Sequence, residues 1–115
     1  MPHIKLEHTE NIDINLIKSV FKQLSDILVE NAGIKEENCK FKSIQILDIA
    51  DDIRHFYHLE ISLLKGRSKV IRKIIGQKSL ETLKEIFSFS RRSNKHFSLE
   101  IREINPEDYF TTSKF

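Results

Sequence analysis

The chain has 115 residues, 19 basic against 17 acidic side chains for a formal net charge of +2, and a single cysteine, Cys39. That length predicts one domain with a modest core, and so small and interspersed a charge excludes the electrostatic footprint of a nucleic-acid binder. A lone thiol makes no intrachain disulfide and suits a reducing compartment. No apolar run approaches the ~20 residues that span a bilayer, and the N-terminus lacks a basic-then-apolar leader. The expectation is a cytoplasmic protein with neither a nucleic-acid nor a membrane partner.

The first segment reads Met1-Pro2-His3-Ile4-Lys5-Leu6-Glu7, a strand behind a proline. Removal of Met1, the usual processing before a small residue, turns Pro2 into a secondary amine at the edge of a folded domain. An α-amino group titrates at about 7.7–8.0, and burial lowers that value because desolvation disfavours the charged form. Pro2 is therefore a candidate general base, provided a pocket surrounds it. The alternative for any second-position proline is processing alone, without chemistry.

Next, Ile17, Val20, Phe21, Leu24, Ile27 and Leu28 recur at three- and four-residue spacing, one stripe of an amphipathic helix from Ile14. Asp13 is placed to cap it, and Gly33 to close it. Between Phe41 and Ile49, Ile44 and Ile46 alternate with Ser43 and Gln45, which predicts a strand, and Asp51-Asp52 predicts a turn. From His55 to Leu64 the alternation of Tyr57, Leu59, Ile61 and Leu63 with polar residues predicts another strand.

Gly66-Arg67-Ser68 interrupts the pattern. A second helix follows, carrying Val70, Ile71, Ile74, Ile75, Leu80, Leu83, Ile86 and Phe87 largely on one side. Gly76 and Ser79 inside it read as places of close packing against a sheet. Phe97, Leu99 and Ile101 alternate with Ser98, Glu100 and Arg102 in a last strand reaching about Ile104.

The order is strand, helix, strand, written twice: a first unit over 2–50, a second over 54–105, and a tail over 106–115. The fold class is α+β, a four-stranded mixed sheet with two helices packed on one face, each unit a right-handed crossover between parallel strands. The other sheet face reads as half-apolar and in need of cover, which predicts an oligomer. Tyr109, Phe110 and Phe115 make the tail too aromatic for a free end and suggest docking on a neighbouring subunit.

Other constellations carry little. His55 and His58 are three apart on a strand, point to opposite faces and so do not ligate one metal together. Cys39 has no activating neighbour and reads as a half-buried filler. Arg91-Arg92-Ser93-Asn94-Lys95-His96 lacks interleaved aromatics and reads as a solvated loop. His3, beside the proposed base, is a candidate for tuning it or orienting substrate.

Three pieces in order resemble the 5-carboxymethyl-2-hydroxymuconate Δ-isomerase family of the tautomerase superfamily: Met1-Pro2-His3 with Thr9-Glu10-Asn11, then Ile61-Ser62-Leu63-Leu64-Lys65-Gly66-Arg67-Ser68, then Glu100-Ile101-Arg102-Glu103-Ile104-Asn105-Pro106. The resemblance runs end to end. It implies a homotrimer with its site at or near a subunit contact, and an isomerase without metal or organic cofactor. In that class the processed Pro2 moves a proton along a small unsaturated 2-hydroxy or 2-oxo carboxylic acid, while cations hold carboxylate and dienolate charge.

Arg67 matches the family's arginine in Gly-Arg-Ser at the mouth of the second helix, where a guanidinium fork adds to the helix's own positive end. The family's Arg-x-Arg before the second strand is here Lys40-Phe41-Lys42, which keeps charge and loses the bidentate fork. The substrate-binding candidates are thus Arg67, Lys40 and Lys42. The contrary reading of that departure is a trimeric binding or structural module with residual tautomerase activity at most.

Overall fold

The computed structural model describes residues 1–47, 55–88 and 95–112. Its strands are β1 (His3–His8), β2 (Lys40–Gln45), β3 (His55–Leu64) and β4 (Lys95–Ile104); its helices are α1 (Ile14–Ala32) and α2 (Lys69–Phe87). They form one four-stranded sheet in the order β2-β1-β3-β4. β1 and β2 run parallel, β3 and β4 run parallel, and β1 meets β3 antiparallel, so the two β-α-β units join through their first strands.

Local chemistry sets the helix ends. The Asp13 side chain accepts a hydrogen bond from the Asn15 backbone N–H at 2.7 Å, satisfying a donor that the helix start leaves orphaned. Gly33 closes α1 at φ 63°, the left-handed conformation that a Cβ disfavours. Ser68 caps α2 by accepting from the Ile71 N–H at 3.2 Å.

Strand alternation decides burial. Ile4 and Leu6 of β1, with Tyr57, Leu59, Ile61 and Leu63 of β3, lie on the helix side of the sheet and are essentially inaccessible. Against them pack Val20, Leu24 and Leu28 of α1 and Ile75, Leu83 and Phe87 of α2, so both helices share one core on one face. Each such side chain contributes about 1.5–3 kcal/mol on burial. Tyr57 is the centre of an aromatic stack, with ring centroids 4.5 Å from Phe87 and 5.2 Å from Phe97.

Gly76 faces β4 as expected, though without clenching: a Cβ there would stand 3.4 Å from Ile101 Cδ1 and 3.8 Å from Leu99 Cδ2. Ser79 is fully buried, and its hydroxyl has no hydrogen-bond partner among the described residues.

Several expectations change. β2 ends at Gln45 rather than near Ile49, although the Ile46 N–H still donates to the His8 carbonyl at 2.8 Å. The turn expected at Asp51-Asp52 and the basic stretch 91–94 lie outside the described residues, and Lys95 and His96 belong to β4. The open sheet face is not half-apolar. Across it His58 Nδ1 lies 2.6 Å from Ser98 Oγ and His58 Nε2 2.8 Å from Glu100, while Lys5 pairs with Glu60 at 3.5 Å. The period-two pattern gave the correct parity; what it could not show is that polar residues on neighbouring strands meet in register and satisfy one another.

The tail also departs from expectation. Tyr109 docks on its own chain, against His3, while Phe110 is 88% exposed and Phe115 lies outside the described residues.

Candidate active site

Pro2 stands at the start of a central strand, and that placement fixes it from two directions. Its side chain is almost wholly buried on the helix side. Its carbonyl accepts the Lys40 backbone N–H at 2.9 Å, one step beyond the β1–β2 ladder. A chain end is normally free to fray; here the parallel pairing with β2 holds it.

The electrostatics of this corner follow from what the ladder brings together. Burial pushes the Met1 amine below its ordinary value, the Lys40 charge pushes the same way, Cys39 opposes and Arg67 again lowers it. The amine, Lys40 and Arg67 therefore share one corner, although they come from three separate segments. Removal of Met1 would place the amine on Pro2, a residue that is itself buried and paired to Lys40 through its carbonyl.

Arg67 reaches the corner because Gly66 turns the chain at φ 138°, a conformation that a side chain strains, immediately before the α2 cap at Ser68. Arg67 is half-buried, and its Nε is enclosed without an acceptor among the described residues. A buried unpaired guanidinium N–H is costly unless an anion completes it.

Lys40 and Lys42 lie on the open face of β2, opposite His3 and Lys5 in register. Lys40 acts on the amine and both lysines act on His3. His3 is the residue read from the sequence as a candidate for tuning the base or orienting substrate. Burial lowers its pKa first, then the N-terminal amine, Lys42 and Lys40, so its ring is neutral near pH 7. Its Nε2 lies 3.1 Å from the Tyr109 hydroxyl.

Cys39 is half-buried, with Sγ 3.8 Å from Ser25 Oγ and its pKa raised by burial, the behaviour of a filler. His55 and His58 sit on opposite faces: His55 Nδ1 is 3.4 Å from Thr9 Oγ1, whereas His58 belongs to the open-face network. A hollow of about 440 Å³ between α2 and β4 is lined by Arg72, Gly76, Leu80, Leu99 and Ile101 and by none of the predicted site residues. Those candidates lie instead at an open corner of the sheet. Among the described residues, no helix is long and apolar enough to cross a membrane.

No curated protein matches the chain in sequence. Among solved structures, a 5-carboxymethyl-2-hydroxymuconate isomerase from Deinococcus radiodurans R1 is similar at TM-score 0.81 and 22% identity, over 98% of this chain and 90% of that one. Pt0534 inactivated by 2-oxo-3-pentynoate is similar at TM-score 0.79 and 11% identity, over 96% and 92%. A fused 4-OT wild-type asymmetric trimer is similar at TM-score 0.80 and 13% identity, over 97% and 94%. These likenesses bear on the fold, an α+β sheet of tandem β-α-β units of the tautomerase type. The family model for 5-carboxymethyl-2-hydroxymuconate isomerase matches residues 2–114, and the chain belongs to that family.

Proposed function

We propose that the protein is a cofactor-independent isomerase that moves a proton within a small unsaturated 2-hydroxy or 2-oxo carboxylic acid, with the amine of Pro2 as base and then acid. The observation that carries this reading is the shared corner: an N-terminal amine, that of Met1, lowered by burial, near Lys40 and near an Arg67 whose enclosed Nε lacks an acceptor among the described residues. The neutral amine takes the proton of the enol hydroxyl, the oxygen lone pair closes to a carbonyl, and the displaced π pair picks up the same proton at carbon. Arg67 and Lys40 hold carboxylate, with Lys42 further along the same strand face. Fixed cations at the site of developing enolate charge stabilise it without reorganising.

The corner is open, so walls from other subunits complete it. We take the assembly to be a homotrimer, in keeping with a structural relative described as a trimer and with the family resemblance. A charged and hydrogen-bonded open face suits a polar subunit contact of this kind. The natural context proposed is the breakdown of aromatic compounds in the cytoplasm, within a single tautomerase-like domain spanning 1–115.

The test combines intact mass with an electrophile. An alkyne conjugated to a 2-oxo acid accepts a neutral amine at its far carbon, and 2-oxo-3-pentynoate inactivates a structural relative. With Met1 absent, the reagent is expected to add once, at Pro2, and to abolish turnover of 2-hydroxymuconate-type dicarboxylates. A retained Met1, or an unmodified Pro2 in protein that still turns substrate over, sinks the reading.

A further inference from the structure

After β4, a single 3-10 turn, Pro106–Asp108, brings the chain back toward the open face. Asn105 initiates it, its side chain accepting from the Glu107 N–H at 3.5 Å. The turn delivers Tyr109 onto His3, residues 106 apart in sequence: hydroxyl to Nε2 3.1 Å, ring centroids 5.9 Å apart, planes tilted by 59°. Tyr109 is half-buried where Phe110 is exposed, so this contact is where the tail attaches.

The groups facing His3 are cations and neutral donors. Lys40 stands opposite it on β2 with Lys42 beyond, Ser62 stands opposite it on β3, and the N-terminal amine lies beside it. Lys5, next on its own face, is already paired with Glu60. No carboxylate is hydrogen-bonded to the ring among the described residues, so nothing there favours the imidazolium.

A phenol is a much better proton donor than the N–H of a neutral imidazole, so in a bond between Tyr109 and a neutral His3 the hydroxyl donates to Nε2. The ring's own proton then sits on Nδ1. The described residues give Nδ1 no partner.

We propose that Tyr109 is a positioning residue that fixes His3 as the Nδ1–H tautomer, and that His3 donates this N–H to the 2-oxygen of the substrate while the cations hold its carboxylates. This rests on the proton-shuttle reading of Pro2 and adds a division of labour. When Pro2 takes the enol proton, negative charge develops on that oxygen, and a neutral donor bonds it more strongly in the transition state than in the ground state. A histidine kept neutral by burial and by neighbouring cations fills that role at neutral pH. The pair also selects: a diacid with an oxygen at carbon 2 gains a hydrogen bond that a plain diacid lacks.

The experiment is a ¹⁵N–¹H correlation of the imidazole nitrogens in Met1-free protein, with His3 assigned by His3→Gln and spectra recorded with 2-oxoadipate or with adipate. The wild type is expected to show His3 as the Nδ1–H tautomer, shifting with 2-oxoadipate and not with adipate. Tyr109→Phe, which keeps the ring contact, is expected to lose the tautomer preference and to weaken 2-oxoadipate binding about tenfold with adipate unchanged. An Nε2–H tautomer, an equal response to both diacids, no response to either, or an unaltered Tyr109→Phe overturns the proposal. A 2-oxoadipate-specific shift in protein that turns over no enol overturns the isomerase reading and keeps the His3 site; turnover without the shift does the reverse.

Discussion

The backbone N–H of Lys40 donates to the carbonyl of Pro2 at 2.9 Å, and this bond joins the first residue of the processed chain to the first residue of β2. The same pairing sets the Lys40 charge beside the N-terminal amine, where it helps burial to lower the amine's pKa. Backbone geometry and site electrostatics therefore have a common origin in the parallel β1–β2 register.

A base must be neutral to work, and the amine's pKa is lowered. Activity should accordingly rise with pH through that value, flat above it and falling tenfold per unit below it. The limb in kcat/KM of Met1-free protein is expected below the pKa of the same proline amine in a short unfolded peptide, because burial and nearby cations disfavour the charged form. A limb at or above the peptide value contradicts the assignment. Pro2→Ala should keep the fold by circular dichroism and lose at least ~100-fold in kcat.

Arg67 offers an enclosed N–H without an acceptor among the described residues. Arg67→Gln removes a charge-assisted bond of about 1.5–3 kcal/mol, so KM for a dicarboxylate should rise about tenfold to 150-fold. Steady-state kinetics with a monocarboxylate in parallel check that the loss follows the second carboxylate; an unchanged KM refutes the role.

Lys40 and Lys42 share the open face of β2 with point charges where a fork would bind a carboxylate through two bonds. The double change Lys40→Arg with Lys42→Arg should lower KM for dicarboxylates several-fold while leaving thermal stability alone. Competition between two diacids of different length reads it out, with a raised KM as the contrary result.

Lys95, only 7% exposed in its side chain, donates to the Phe87 carbonyl at 2.7 Å and lies 3.4 Å from the Tyr57 hydroxyl and 3.7 Å from Glu10. This cluster ties the end of α2 to the sheet at the end of β1 remote from Pro2. Tyr57→Phe preserves the ring stack and removes the hydroxyl between buried partners, which should cost about 1–3 kcal/mol. Urea unfolding gives the number, and catalysis at the distant corner should not change.

Gly76 lowers the helix propensity of α2 without being forced by contact, since a Cβ would stand at ordinary distance from Ile101 and Leu99. Gly76→Ala should stabilise the protein by up to about 1 kcal/mol and raise Tm by a few degrees. A fall in Tm would mean that α2 and β4 are closer in solution than the 3.4 Å gap implies.

The elements were legible because each rests on local signals. The α1 stripe lies between a capping Asp13 and a left-handed Gly33, and the alternation of β3 places Tyr57, Leu59, Ile61 and Leu63 on one face without reference to any neighbour. Pro2, Arg67, Lys40 and Lys42 were legible as candidates by residue type and by resemblance. The nearness of Lys40 and Arg67 to the N-terminal amine was not, because it depends on the β1–β2 register and on the turn at Gly66.

Other features had no local signal at all. The His3–Tyr109 contact joins the two ends of the chain, and the open face becomes a network only when His58 meets Ser98 and Glu100 across strands. By itself, then, the sequence determined element type, order and facing, since periods of 3.6 and 2 are written residue by residue. Tertiary structure alone decided which charged and polar groups meet, because pairing energy depends on distances set by register and by chain return, and neither is encoded within any one segment.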